Sequence, residues 1–394
     1  MNIKAVGPFA INRVHVGNCL ALLKQIPDSR IQTCVTSPPY WGLRDYGTAT
    51  WEGGNDPKCE HAAAKEKSRY DYSLESSPVQ DGAREGTDAP RWMDVCPTCG
   101  ARKKDDQIGM EPTPGEYVDR LVEVFREVRR ALWNDGTLWL NLGDSYFGDS
   151  PVRQSSAESF SEKWDPAQTR SRGGSRRSAA QCDGLKPKDL CGIPWRVALA
   201  LQADGWYLRQ DIIWNKLSCM PESVTDRCTK SHEYIFMLAK SGTYYYDVEA
   251  MKEPCNSTAT DLLKMWRSLP RIGGKHKDLV DPKVAASSAT NIGQKRAVGS
   301  PEGRNRRSVW TINPRPYAGA HFATFPPALP ELCIKAGTKP GDVVLDPFCG
   351  SGTTGEAALL LGRNFVGFEL NPKYANDLAQ PRLDAALRKR ELAR

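Results

Sequence analysis

No apolar run in this 394-residue chain approaches the ~18 residues that a helix needs to cross a bilayer. Mean hydropathy is −0.53, and the start, Met1 to Ala10, lacks the basic residues and long apolar core of a secretory signal. These absences argue against a membrane protein or an exported one. No internal repeat is evident, which removes the solenoid and propeller architectures. A glycine-rich turn is present, but no Lys-Ser or Lys-Thr pair follows its last glycine, so an ATP-binding P-loop is poorly supported. A hydride-transfer constellation of His or Lys is also missing, which counts against a nicotinamide dehydrogenase. Twelve cysteines occur, most of them singly within strand-like or helix-like runs, as at Cys19, Cys34, Cys333 and Cys349. Buried free thiols in a reducing compartment are therefore expected rather than disulfides.

Two motifs carry chemistry. The first is Val35-Thr36-Ser37-Pro38-Pro39-Tyr40, an apolar strand running into a stiff turn. The prolines fix φ, so the Ser37 side chain and the Pro38 carbonyl can face one point in space as two acceptors for one NH2 group. Tyr40 offers a flat ring on which a base taken out of a duplex can stack. The second motif is Val343-Val344-Leu345-Asp346-Pro347-Phe348-Cys349-Gly350-Ser351-Gly352-Thr353-Thr354-Gly355, a strand leading into a glycine-rich turn and the helical stretch Glu356 to Leu361. Gly350, Gly352 and Gly355 form a G-x-G-x-x-G, and Val366-Gly367-Phe368-Glu369 ends the next strand with an acid placed where ribose hydroxyls are gripped.

Together these motifs resemble the DNA amino-methyltransferases of the beta arrangement, in which Ser/Asp-Pro-Pro-Tyr lies upstream of the cofactor loop. The resemblance runs through Val14 to Tyr46, Pro114 to Tyr146, Lys188 to Asp247 and Val309 to Leu383. Gly136-Thr137-Leu138-Trp139-Leu140-Asn141-Leu142-Gly143-Asp144-Ser145-Tyr146 and Thr229-Lys230-Ser231-His232-Glu233-Tyr234-Ile235 look like its intermediate motifs. In protein methyltransferases of the release-factor type, Asn-Pro-Pro-Tyr follows the loop instead, so motif order separates the two. A non-catalytic DNA-binding module would lack the intact acceptor motif.

The resemblance implies an α/β, Rossmann-like fold with a mainly parallel sheet and circularly permuted motif order, using S-adenosyl-L-methionine. Ser37, Pro38, Pro39 and Tyr40 would be catalytic. Asp346, Pro347, Phe348, Gly350, Ser351, Gly352, Thr353, Glu369 and Asn371 would bind cofactor, with Thr324 and Phe325 closing over it. Ser at the head of the tetrapeptide resembles the N4-cytosine branch, with N6-adenine the alternative. Double-stranded DNA is the implied partner, a cognate restriction endonuclease and a homodimer fit the same family, and no membrane is involved. The implied location is the cytoplasm of a bacterial or phage-infected cell, on the nucleoid.

Charge and composition mark the insertions. Net charge is +7 overall, and Pro254 to Ser308 alone holds eleven Lys or Arg against four Asp or Glu, 11 − 4 = +7. Lys295, Arg296, Arg304, Arg306 and Arg307 within it are read as DNA-binding, in a target-recognition region spanning 254–308. A flexible basic loop is expected over 148–187. Within an insertion at 50–110, Cys59, His61, Cys96 and Cys99 supply four ligands in two close pairs, suited to a structural tetrahedral zinc. Catalytic segments then occupy 1–49, 111–147 and 188–253, with the cofactor-binding part at 309–394. Helices are expected at Leu20 to Ile26, Tyr117 to Leu132 and Pro194 to Ala203, and strands at Val14 to Val16, Thr33 to Thr36, Thr137 to Leu142 and Tyr207 to Trp214. Tyr234 to Ala239 and Thr243 to Tyr246 read as a strand pair.

Overall fold

The structure, a computed structural model, describes residues 4–42, 48–56, 59, 95–96, 98–147, 184–219, 221–254, 303–314 and 325–392. His61, Thr324, Lys295 and Arg296, and nearly all of the stretches at 148–187 and 254–308, lie outside the described residues. In chain order the strands and helices are β1 (Ala5–Val6), β2 (Phe9–Ala10), β3 (Arg13–Val16), α1 (Cys19–Leu23), β4 (Ile31–Thr36), β5 (Thr50–Glu52), β6 (Arg102–Lys104), α2 (Pro114–Ala131), β7 (Leu132–Leu142) and α3 (Ile193–Ala203). There follow β8 (Tyr207–Asn215), β9 (His232–Ala239), β10 (Val309–Thr311), α4 (Ala328–Gly337), β11 (Val343–Asp346), α5 (Thr353–Leu360), β12 (Asn364–Glu369), a π-helical segment Tyr374–Ala379, and α6 (Gln380–Leu392). No described helix is long and apolar enough to cross a membrane.

The chain divides into two units, Met1–Ser37 with Val124–Gly143 and Ala198–Arg394, and Pro38–Glu123 with Asp144–Val197. The first holds an eight-stranded sheet in the order β10-β8-β9-β7-β4-β11-β12-β3. Every neighbouring pair is parallel except those made by β9, which runs antiparallel to both β7 and β8. This is the mainly parallel α/β sheet expected from alternating strands and helices. Central strands read as continuous apolar runs because both faces are covered: Cys34, Val35, Val344, Leu345, Phe365 and Val366 are all essentially inaccessible. On one face Val35, Val344 and Trp139 join Trp214 and Trp310 in a core with Cys333 and Ile334 of α4, Ala357 to Leu359 of α5 and Leu383 of α6.

Two expectations are corrected. Thr243 to Tyr246 forms no strand: the Ser241 hydroxyl donates to the Thr243 carbonyl at 2.6 Å, the Tyr245 amide donates to Asp135 O, and β9 finds its partners in β7 and β8 instead. The helix expected to reach Ile26 ends at Leu23, since Pro27 disfavours helical geometry in the residue before it. Asn18 starts that helix by accepting from the Ala21 amide at 3.2 Å. In the second unit, β5 and β6 pair antiparallel beside the cluster Cys96, Cys99 and Ala101.

Candidate active site

Four parallel strands of the first unit bring their carboxyl ends together in the order β7, β4, β11, β12. From β4 the chain goes on to β7 on one side, and from β11 to β12 on the other. A crevice between strands whose connections depart in opposite directions is where open α/β sheets bind ligands. Ser37 follows the end of β4 and Asp346 closes β11.

A buried side-chain hydrogen bond ties the two ends. The Thr36 hydroxyl donates to Asp346 Oδ1 at 2.6 Å, and the Phe348 amide donates to the same oxygen at 3.1 Å. Asp346 is 1% exposed. Burial drives its carboxyl up to about 6, against the lowering effect of the Thr36 and Thr354 hydroxyls and the Phe348 amide. At neutral pH the carboxylate still predominates. Burial likewise pushes the thiols of Cys34 and Cys349 well above their ordinary range, which leaves them unreactive.

The glycine turn is shaped by what surrounds it. Gly352, at the start of α5, has φ +80°, a conformation costly for any residue with a side chain. Gly355 has no room for one: a Cβ there would lie 2.7 Å from the Phe365 ring and 2.9 Å from Leu383. Glu369, at the end of β12, accepts from the Gly350 amide through Oε2 at 2.8 Å and from the Asn371 amide through Oε1 at 2.9 Å. Burial raises its carboxyl, with those backbone amides opposing the shift. The acid therefore holds the turn's first glycine through one oxygen and the chain after β12 through the other.

In the second unit the continuation of the acceptor motif is anchored separately. Tyr117 Oη donates to the Pro39 carbonyl at 2.8 Å, Trp41 Nε1 to the Glu111 carbonyl at 3.0 Å, and the Gly42 amide to the Gly109 carbonyl at 2.8 Å. Pro38 is buried, and Pro39 and Tyr40 are half-buried.

Several residues that sequence reasoning passed over also have defined work. Asp144 accepts from the amides of Gly192 at 3.2 Å and Ile193 at 3.1 Å and so caps α3 from 48 and 49 positions away. Asn141 Nδ2 donates to Glu233 Oε2 and to the Tyr234 carbonyl, both at 3.1 Å, while Lys216 Nζ pairs with Glu233 Oε1 and lies 4.2 Å from the centre of the Trp214 ring. Of the arginines read as DNA-binding, Arg304 and Arg307 both donate to Glu253 Oε1, at 3.0 and 2.9 Å. Burial pushes the Glu253 carboxyl up, but the two guanidinium groups outweigh it and hold the group below its usual range. Among the described residues the buried Arg306 Nε has no hydrogen-bond partner.

Cys59, Cys96 and Cys99 come together: their sulfurs all lie within 4.8 Å of one another, with Cys59 Sγ and Cys96 Sγ 3.8 Å apart. The knuckle between the last two closes through Gly100 N–H to Cys96 O at 2.8 Å and Cys96 N–H to Ala101 O at 2.7 Å.

The sheet order, the glycine turn with its acid on the next strand, and an acceptor motif on the adjoining strand define a nucleotide-cofactor transferase of the amino-methyltransferase type. Comparison with known proteins agrees: the DNA methylase family model for N6 and N4 methyltransferases matches residues 31–380, and the chain belongs to that family. It is 42% identical to the type II methyltransferase M.SmaI of Serratia marcescens, over 90% of this chain and 85% of that protein. It is 39% identical to the type II methyltransferase M.Cfr9I of Citrobacter freundii, over 93% and 86%. Among solved structures it resembles PvuII DNA methyltransferase (cytosine-N4-specific), with TM-score 0.48 and 16% identity over 97% of this chain and 93% of that one.

Proposed function

We propose that this protein methylates the exocyclic N4 amine of cytosine at a specific site in double-stranded DNA, with S-adenosylmethionine as donor and the target base turned out of the duplex. The observation that carries the reading is the Thr36 to Asp346 bond, which locks the strand leading into Ser-Pro-Pro-Tyr to the strand leading into the glycine turn. Bound S-adenosylmethionine supplies an electrophilic methyl group. Glu369 accepts from its ribose hydroxyls while the Gly350 amide keeps the acid in place, and Asp346 fixes the turn beside it.

The cytosine amine is a weak nucleophile because its lone pair delocalises into the ring. Ser37 Oγ and the Pro38 carbonyl accept its two N–H groups, which turns the lone pair toward the methyl. Tyr40 stacks on the extruded base. In direct in-line displacement the N4–carbon bond would form as the methyl–sulfur bond breaks, with the electron pair staying on sulfur as S-adenosylhomocysteine leaves and one amine proton passing to water; no covalent enzyme intermediate is needed, and the acceleration comes from positioning and a preorganised polar setting. Ser37 rather than Asp at the head of the motif favours cytosine over adenine, and the type II relatives favour a partner restriction endonuclease that reads the same site.

Digestion of methylated DNA to deoxynucleosides, separated by mass, tests the base: N4-methyl-2′-deoxycytidine is expected, and N6-methyl-2′-deoxyadenosine alone overturns that assignment while leaving the fold standing. Ser37→Ala should slow turnover far more than it weakens cofactor binding.

In the second unit we propose a structural zinc ion on the thiolates of Cys59, Cys96 and Cys99. Thiolates about 2.3 Å from a tetrahedral zinc lie about 3.8 Å apart, which is the Cys59 to Cys96 separation of 3.8 Å, whereas a disulfide would need about 2.05 Å. Protein purified without chelator should hold about one zinc per chain, and Cys96→Ser with Cys99→Ser should lose it. Folded wild-type protein free of metal rules the site out. A His61→Ala variant decides whether His61 supplies the fourth ligand.

A further inference from the structure

We propose that Arg382, on the C-terminal helix α6, is a positioning residue that presets the glycine turn for S-adenosylmethionine. The inference rests on the cofactor reading above. Arg382 Nε donates to Glu356 Oε2 at 2.5 Å, and its Nη1 reaches Thr353 Oγ1 at 2.9 Å, Ser351 Oγ at 3.3 Å and the Ser351 carbonyl at 3.4 Å. The ion pair is well shielded, with side chains 15% and 21% exposed. Ser351 and Thr353 are themselves 2% and 4% exposed.

One planar fork thus grips the turn and the first turn of α5 at once. Holding the Ser351 carbonyl fixes the plane of the Ser351–Gly352 peptide, in a segment whose glycines would otherwise leave it many conformations. The same stretch of chain packs against the turn by shape: a Cβ on Gly352 would meet Leu383 at 3.0 Å and the Ala379 backbone at 3.1 Å. Ala379 ends the π-helical segment, and the following Gln380 ties α6 to β3 by accepting from the Val14 amide at 3.1 Å. A turn held this way meets its ligand without first paying an ordering entropy, which is how preorganisation raises affinity. It follows that Ser351 and Thr353 act on the cofactor through the shape of the turn, by their bonds to Arg382.

Arg382→Lys tests this, because lysine keeps the charge and the partner Glu356 but not the fork. By isothermal calorimetry and steady-state kinetics, the Kd and KM for S-adenosylmethionine should rise about tenfold, equivalent to roughly 1.4 kcal/mol. The kcat at saturating cofactor should stay within about twofold of wild type. Thr353→Val should shift affinity in the same direction, and Thr353→Ser, which keeps the hydroxyl, should restore it. These milder variants keep the test open if Arg382→Ala fails to fold. Should wild type bind S-adenosylmethionine and Arg382→Lys bind it as tightly, with only the melting temperature lowered, the proposal is wrong and Arg382 is purely structural. A fall in kcat with KM unchanged overturns it equally. Wild-type protein that takes up no S-adenosylmethionine overturns the cofactor reading itself, and this inference with it.

Discussion

Asp346 should make the stability of this protein depend on pH in a direction opposite to that of an ordinary paired carboxylate. Its carboxyl is pushed from 3.8 to about 6 by burial, so ionisation is harder in the folded chain than in the unfolded one. A group of this kind contributes stability that is fully present below the unfolded value and is lost as pH rises through the folded one. The whole loss is on the order of 3 kcal/mol, about half of it gone by pH 5 and the rest by pH 7.5. Asp346→Asn removes the ionisation and keeps Oδ1 as acceptor for Thr36 and Phe348. Its amide must find a new acceptor, but that cost does not vary with pH and drops out of the slope. Urea denaturation of both proteins between pH 5 and 7.5 should therefore show wild type losing roughly 1 kcal/mol relative to the variant. A difference that stays flat across this range, or one that grows in favour of wild type, refutes the argument.

Four further substitutions follow from the geometry. Gly355→Ala places a Cβ 2.7 Å from the Phe365 ring and should cost about 1–3 kcal/mol by overpacking; an unchanged denaturation midpoint would show that α5 can shift freely on β12. Lys216→Met leaves Glu233 partly buried without its cation and should destabilise by more than ~1.5 kcal/mol. By contrast Glu52→Gln, which breaks an exposed pair 53% and 64% accessible, should stay within ~0.5 kcal/mol, and equal costs for the two would refute the burial argument. Asp144→Ala removes the cap of α3 and should cost about 1–2 kcal/mol, with faster amide exchange over Ile193 to Val197; exchange unchanged there would mean that the cap is dispensable.

Much of the site was legible in the sequence because it is written in residues that restrict or free the backbone. Pro38 and Pro39 stiffen one turn, Gly350 and Gly352 permit another, and the apolar runs before each could only be buried strands. Order along the chain then separated this arrangement from those with the motif after the loop. Side chains that act across long separations were not legible. Asp144, Glu233 and Arg382 belong to residue types spread over the whole surface, and only folding shows that one caps a distant helix, one takes a partly buried lysine and one grips the glycine turn. Thr243 to Tyr246 misled for a related reason: a run rich in β-branched and aromatic residues has strand propensity, but propensity yields to the partners available. Here β9 was already flanked on both sides, which left no edge beside it for another strand.

The bond between Thr36 and Asp346 joins residues 310 positions apart. On the proposed function, methyl transfer requires that the strand carrying the acceptor motif lie next to the strand carrying the glycine turn, with both carboxyl ends at one edge. A parallel pairing that sets Val344 opposite Thr33 and Leu345 opposite Cys34 meets that requirement whichever strand is made first. The two strands are then fixed in height by one buried hydroxyl and one buried carboxylate, and a shift in register would take the Thr36 hydroxyl away from its acceptor in a medium that penalises the loss. Sequence distance is irrelevant to such a contact once the sheet has formed. Connections to α2 and β7 on one side and to α5 and β12 on the other depart from this pair of strands, so the crevice they leave belongs to the topology of the sheet and not to any local motif.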